Sequence, residues 1–158
     1  MDLEKMIPSL TLIQGKGKRR EPKPPHILVC EDDGATLLQL KATLQHLGCR
    51  VTTAAVGSAA FHELQTQTFD LVIMDYNMPL RLTGKCISEL LPWEAISTPM
   101  ILTSAEDHTR DAGEQGFLAF YPKPLTVDVM QEILKRYVVG KLAPREAAGS
   151  ELALAVGY

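Results

Sequence analysis

Residues Asp70 to Gly84 read D-L-V-I-M-D-Y-N-M-P-L-R-L-T-G, and the fold turns on how this stretch is read. Leu71 to Met74 is an apolar run too short for an ordinary helix and suited to a strand buried on both faces, as in a parallel sheet. The strand stops on Asp75. Pro79 lacks an amide donor and restricts the residue before it, so Tyr76-Asn77-Met78-Pro79 cannot continue a central strand. Asp75 is therefore expected at the carboxyl end of a strand, where open α/β sheets place their ligands. Taken alone, the stretch leaves a capping or turn aspartate open as the alternative.

Its neighbours narrow the choice. His26 to Cys30 (H-I-L-V-C) is a second short apolar run, and it ends on Glu31, Asp32 and Asp33. Two such strands side by side would gather several negative charges at one edge, and charges that close must be neutralised by protonation or by a cation. Oxygen ligands without a Cys or His cluster suit Mg²⁺ better than Zn²⁺. Downstream, Met100 to Leu102 leads into Thr103 and Ser104, and Phe117 to Tyr121 leads into Pro122-Lys123-Pro124. The strand ends thus offer acids, an acid, a hydroxyl and an ammonium, in that order.

The pieces I-L-V-C-E-D-D, D-L-V-I-M-D-Y-N-M-P, L-T-S-A-E and Lys123-Pro124, in this order and separated by helix-length segments, resemble the response-regulator receiver domain of two-component signalling. The resemblance spans about Pro25 to Val139. It implies an α/β, flavodoxin-like, doubly wound fold: a five-stranded parallel sheet of order 2-1-3-4-5 with helices on both faces. It makes Asp75 the phosphoacceptor, Glu31 and Asp32 the acidic pair, Ser104 the hydroxyl, Lys123 the lysine and Phe120 the aromatic switch. Implied with these is Mg²⁺, held directly by Asp32 and Asp75, through water by Glu31 and by the backbone carbonyl of Asn77. Asp33 falls just beyond the pair and is expected to start a helix. The Lys123-Pro124 peptide is expected to be cis.

The function so implied is that of a phosphorelay receiver and not of an enzyme acting on other molecules. A sensor histidine kinase or a histidine phosphotransfer protein would donate a phosphoryl group to Asp75, and an unknown downstream protein would read the switched surface. Lys123 would pair with the phosphoryl group, Ser104 would donate to it, and the pull on Ser104 would let Phe120 move inward. The alternative is a pseudo-receiver that is never phosphorylated and serves as a protein-interaction module. A hydrolase of the haloacid-dehalogenase type also uses a strand-end aspartate, but it needs a second one where this chain has Asn77. A dinucleotide site is excluded by E-D-D-G-A-T, acidic where a glycine-rich cradle is required.

Composition sets the frame around this core. The chain has 158 residues and a formal charge of −3, which gives no electrostatic case for direct nucleic-acid binding. Residues 1–24 read as an amino-terminal extension with a basic, Pro-rich linker, 25–139 as the receiver and 140–158 as a tail too short for an output domain. Lys16 to Arg20 has no interleaved aromatic residues and reads as a solvated tether. Cys30, Cys49 and Cys86 are too scattered for a disulfide framework or a zinc motif. No apolar run reaches the roughly 18 to 20 residues of a membrane span, so a cytoplasmic protein with no membrane partner is expected.

Local signals fill in the helices. Leu37, Leu40, Leu44 and Leu47 form one helical stripe ended by Gly48. Arg50 to Ala55 is β-branched and reads as a strand, and Ser58 is expected to cap the next helix, which buries Ala60, Phe61 and Leu64. A helix is expected from about Lys85 to Leu91, with Trp93 as a packing plug beyond it, and Arg81 should overhang the active edge. The segment after Ser104 is polar and contains Gly113, so its helix should be short. Thr126 is expected to cap a final helix with Val129, Met130, Ile133, Leu134 and Tyr137 on its inner side. His26, His46, His62 and His108 are read as ordinary surface or boundary residues.

Overall fold

The computed structural model describes residues 23–82, 89–90 and 97–138. Its strands are β1 (His26–Cys30), β2 (Arg50–Ala54), β3 (Leu71–Asp75), β4 (Met100–Ser104) and β5 (Ala119–Pro122). All pair in parallel, in the order β2-β1-β3-β4-β5. Between and after them run α1 (Gly34–His46), α2 (Gly57–Thr66), α3 (Thr109–Glu114) and α4 (Val127–Tyr137). Every residue of β1, β3 and β4 is buried, which is why these strands read as unbroken apolar runs instead of alternating ones.

Alternate residues feed two cores. Ile27, Val29, Leu71, Ile73, Ile101 and Tyr121 pack with Leu40 and Leu44 of α1 and with Met130 and Ile133 of α4. Leu28, Cys30, Val72, Met74, Leu102 and Phe120 face the other way, onto Ala60 and Leu64 of α2 and Ala112 of α3. A fully buried aliphatic side chain contributes about 2 kcal/mol, so these strands can tolerate a cluster of like charge at their ends. The register fixes where that cluster lies. Cys30 pairs with Met74 and Asp75 with Thr103, so the carboxyl ends of β1, β3 and β4 stand level.

The caps follow from the sequence in part. Asp33 caps α1, its side chain accepting from the Thr36 amide, and Thr126 caps α4 by accepting from the Val129 amide. Gly48, just past α1, has φ of 89°, a left-handed conformation that favours glycine. Ser58 is not the cap of α2: the helix starts at Gly57 with Val56 in the cap position and no side-chain cap. The Gly57 amide donates instead to the Pro79 carbonyl at 3.0 Å, a tertiary contact that replaces the local one. Phe61 is half-buried, while Ala60 and Leu64 are buried as expected.

Two strand limits differ by a few residues. β2 ends at Ala54, not Ala55. β5 begins at Ala119, because the Phe117 amide closes α3 by donating to the Ala112 carbonyl, behind a Gly116 with φ of 83°. Pro122 is exposed on the last residue of this edge strand, a position that spares the ladder its missing donor. The Lys123-Pro124 peptide is cis. The expected helix over 85–91 (apart from 89–90), Trp93, Cys86, the amino-terminal extension through residue 22 and the tail from residue 139 lie outside the described residues.

Candidate functional site

Glu31 follows β1, Asp75 ends β3, and each can offer a carboxylate oxygen that lies, with one from Asp32, within 4.8 Å of the others. Glu31 and Asp75 are 1% and 3% exposed, and Asp32 is open to solvent. Lys123 arrives from the end of β5, its backbone amide tied to the Ser104 carbonyl at 2.8 Å. Its Nζ stands 2.6 Å from Glu31 Oε2 and 3.2 Å from Asp75 Oδ1. The first contact is a hydrogen bond. The second is an ion pair without hydrogen-bond alignment, so Asp75 Oδ1 is buried with no hydrogen-bond partner.

Two of the three carboxylates, Glu31 and Asp75, meet the Lys123 ammonium. Burial pushes the Glu31 carboxyl above its usual range, opposed by the hydrogen bonds from Lys123 and from the Asp33 amide. Burial also works against the charge of Lys123, but the Glu31 hydrogen bond and the Asp75 charge outweigh it and hold the ammonium above its ordinary value. Surplus negative charge therefore remains at the edge of the sheet. Oxygen-only donors, an exposed acid on the approach and an orphaned buried oxygen fit a hard divalent cation such as Mg²⁺. The Asp33 carboxylate takes no part, because its Oδ2 accepts from the Thr36 amide at 2.9 Å and from the Thr36 hydroxyl at 2.6 Å.

The other expected site residues are placed by the strands beside this cluster. Ser104 is fully buried at the end of β4, and its Oγ accepts from the Glu106 amide at 3.2 Å. Phe120 is 3% exposed and packed in the second core, so it already lies inward where phosphorylation is expected to move it inward, and it pairs in register with Leu102. Asn77 is exposed in the turn after β3. Arg81, expected over the active edge, lies across that turn, with Nε donating to the Tyr76 carbonyl at 2.8 Å and the guanidinium 4.5 Å from the Tyr76 ring centroid.

One histidine, His26, corrects the sequence reading, while His108 holds a boundary position as expected but with specific partners. His26 is buried, with Nδ1 3.1 Å from the Thr68 carbonyl and Nε2 2.7 Å from the Thr52 hydroxyl. His108 lies flat on Tyr76, ring centroids 3.4 Å apart, and meets Asp111 at 3.0 Å. Thr52 and Thr68 around His26, and Tyr76 under His108, come from separate loops and strands and leave no sequence signal, whereas Asp111 is a local partner of His108 three residues on. A cleft of about 760 Å³ at the opposite edge of the sheet, lined by Lys23, His26, Arg50, Phe69 and Asp70 among others, holds none of the strand-end acids. Among the described residues, no helix is long and apolar enough to cross a membrane.

Known proteins resemble this chain in sequence and fold. The family model of the response regulator receiver domain matches residues 27–135. The sensor protein EvgS of Escherichia coli K12 is 32% identical over 128 residues, covering 78% of this chain and 11% of that protein. The response regulator protein PmrA of Pseudomonas aeruginosa is 32% identical over 129 residues, covering 78% of this chain and 58% of that one. The chain thus spans only part of the length of either relative. Among solved structures, the receiver domain of sensor histidine kinase PA1611 from Pseudomonas aeruginosa PAO1, with a magnesium ion coordinated in its active-site cleft, matches with a TM-score of 0.65. It is 27% identical, and the match covers 73% of this chain and 98% of that one. The sheet order and the matched span agree, and the chain belongs to the response regulator receiver domain family.

Proposed function

We propose that the chain is a phosphoacceptor receiver, residues 25–139, which takes a phosphoryl group onto Asp75 from a sensor histidine kinase or a histidine phosphotransfer protein. The observation that carries this reading is Asp75 Oδ1, buried at the end of β3, 3.2 Å from the Lys123 ammonium and grouped with the carboxylates of Glu31 and Asp32. An oxygen so placed has a cation beside it to meet the incoming phosphoryl charge. In the transfer, an Asp75 oxygen bonds to phosphorus as the bond from phosphorus to the donor imidazole nitrogen breaks. That imidazole, protonated on its other nitrogen, leaves neutral.

Lys123 turns from the carboxylates to the phosphoryl oxygens, acting as a point charge. The Ser104 hydroxyl, which accepts from the Glu106 amide, keeps its own hydrogen to donate to the phosphoryl group. Asp32 and Asp75, Glu31 through water and the Asn77 carbonyl would hold Mg²⁺, which supplies charge stabilisation to a transfer that rests mostly on positioning and electrostatics. Asn77 cannot act as a general acid, so the acyl phosphate is held for signalling and not turned over. The movement of Ser104 toward the phosphoryl group then alters a surface formed by α3, β5 and α4, which a downstream protein reads. The similarity to both a sensor protein and a response regulator supports a cytoplasmic relay in either setting.

The test is Mg²⁺-dependent phosphorylation by acetyl phosphate, followed as a mobility shift in a phosphate-affinity gel. The wild type should shift only with Mg²⁺, and Asp75→Asn should not shift at all. A shift retained in Asp75→Asn overturns the proposal.

A further inference from the structure

The loops beside the acid cluster carry an ordered stack for which the phosphoacceptor reading has no use. Tyr76 and His108 lie face to face, with centroids 3.4 Å apart and planes within 10°. Since His108 fills one face of Tyr76, the Arg81 guanidinium, 4.5 Å from the ring centroid, covers the other. Arg81 is fixed there by the Tyr76 carbonyl on Nε and by Gln115 Oε1 on Nη1. His108 in turn meets Phe120 edge-on, with centroids 6.4 Å apart at 77°. Its Nδ1 is 3.0 Å from Asp111 Oδ2. The hydrogen bond from His108, reinforced by the Tyr76 hydroxyl, holds the Asp111 carboxyl below the usual range. One array therefore runs from the loop after β3, through the loop after β4 and α3, to β5.

Phe120 needs such cover. Helix α3 spans only six residues and buries only Ala112, too small a side chain to roof an aromatic ring. His108, just ahead of that helix, supplies what a longer helix would. Stacked rings and a cation over a ring each bias a two-state equilibrium by roughly two- to tenfold, enough to decide where one side chain rests.

We infer that the Arg81–Tyr76–His108 stack is a latch that holds Phe120 inward in the unphosphorylated chain. Arg81 and Tyr76 are positioning residues in this account, acting on Phe120 through His108. The latch also joins the loop next to Asp75 to the loop next to Ser104. Naming Phe120 the switch rests on the phosphoacceptor reading; the latch itself does not.

The test reads the exposure of Phe120 without any phosphoryl group. In the full chain, selectively labelled at its four phenylalanines, the Phe120 ring protons are assigned with Phe120→Leu. Their relaxation by a soluble gadolinium chelate is then measured. Arg81→Gln removes a contact on the far face of Tyr76 and uncovers nothing of Phe120 directly. The relaxation should rise about twofold or more in Arg81→Gln, rise further in Tyr76→Leu, and stay unchanged in Arg110→Gln, whose partner is the exposed Glu114. Unchanged relaxation in Arg81→Gln, with cooperative unfolding intact, overturns the latch. Arg81 lies in a loop outside both cores, so this variant decides the matter even if Tyr76→Leu does not fold. Failure here is separate from failure of the phosphoacceptor reading, which shows as loss of Asp75-dependent labelling.

Discussion

Lys123 and Glu31, 92 positions apart in the chain, meet at 2.6 Å, Nζ to Oε2. The contact closes the sheet's active edge from β5 back to β1, across both intervening strands. The Glu31 side chain is 2% exposed and that of Lys123 is 24% exposed, so the acid depends on the lysine more than the lysine on the acid.

Lys123→Met should therefore destabilise the fold, because it leaves Glu31 and Asp75 buried without a cation. Breaking a buried pair from one side costs roughly 3 to 5 kcal/mol, and the partial exposure of Lys123 brings the expected loss to about 2 to 4 kcal/mol. Urea unfolding at neutral pH measures it, and added Mg²⁺ should recover part of the loss. Wild-type stability in metal-free Lys123→Met would show that the acids are not charged as described.

Asp32 and Asp33, adjacent in sequence, should separate cleanly in a Mg²⁺ titration followed by calorimetry and melting. Asp32→Ala should weaken Mg²⁺ binding. Asp33→Ala should leave it nearly unchanged and lower the melting temperature, since its carboxylate caps α1 through Thr36. The reverse order would mean that the acidic pair is misplaced by one residue.

Much of this site was legible before any coordinates. Asp75, Glu31 and Lys123 end short apolar runs, and a parallel sheet brings the carboxyl ends of its strands to one edge whatever the loops do. The α1 stripe and the Asp33 and Thr126 caps are local features, visible within a few residues of sequence. What escaped was tertiary. Ser58 has the right chemistry for a cap, but the Gly57 amide finds Pro79 instead. His26 opens β1, and its burial depends on Thr52 and Thr68 from other elements. The stack of Arg81, Tyr76 and His108 draws on two loops, and no periodicity connects them.

Gly57 should tolerate no side chain. A Cβ there would come within 1.3 Å of the Leu80 carbonyl oxygen, and Leu80 already has φ of 53°, unfavourable for a leucine. The neighbour is backbone, so the turn after β3 must move. Gly57→Ala is expected to cost roughly 1 to 3 kcal/mol in chemical unfolding and to shift the amide resonances of Asn77 and Leu80. A variant as stable as the wild type, with those amides unmoved, would contradict this packing.

His26 should make the fold sensitive to mild acid. Burial, and then the charge of Arg50, hold its imidazole below the ordinary value, against the Thr68 carbonyl, Asp70 and Glu63. The Thr68 carbonyl can only accept, so Nδ1 carries the hydrogen and Nε2 accepts from the Thr52 hydroxyl. As pH falls, the unfolded chain protonates first, near pH 6.5. The stability due to neutral His26 is thus complete above about pH 6.5 and is lost below it, with a slope of at most about 1.4 kcal/mol per pH unit. His26→Gln should flatten the stability profile below about pH 6.5 relative to the wild type. An equal slope in both proteins would show that His26 is not held neutral.

The central claim is that one carboxylate of the cluster, Asp75, carries the phosphoryl group. Borohydride reduces an aspartyl phosphate to homoserine, so treating the Mg²⁺- and acetyl phosphate-labelled chain and sequencing its peptides by mass spectrometry marks the acceptor directly. Homoserine should appear at position 75 and not at Asp32 or Asp33. Conversion at either of those acids, or labelled protein with an unreduced Asp75, would contradict the account.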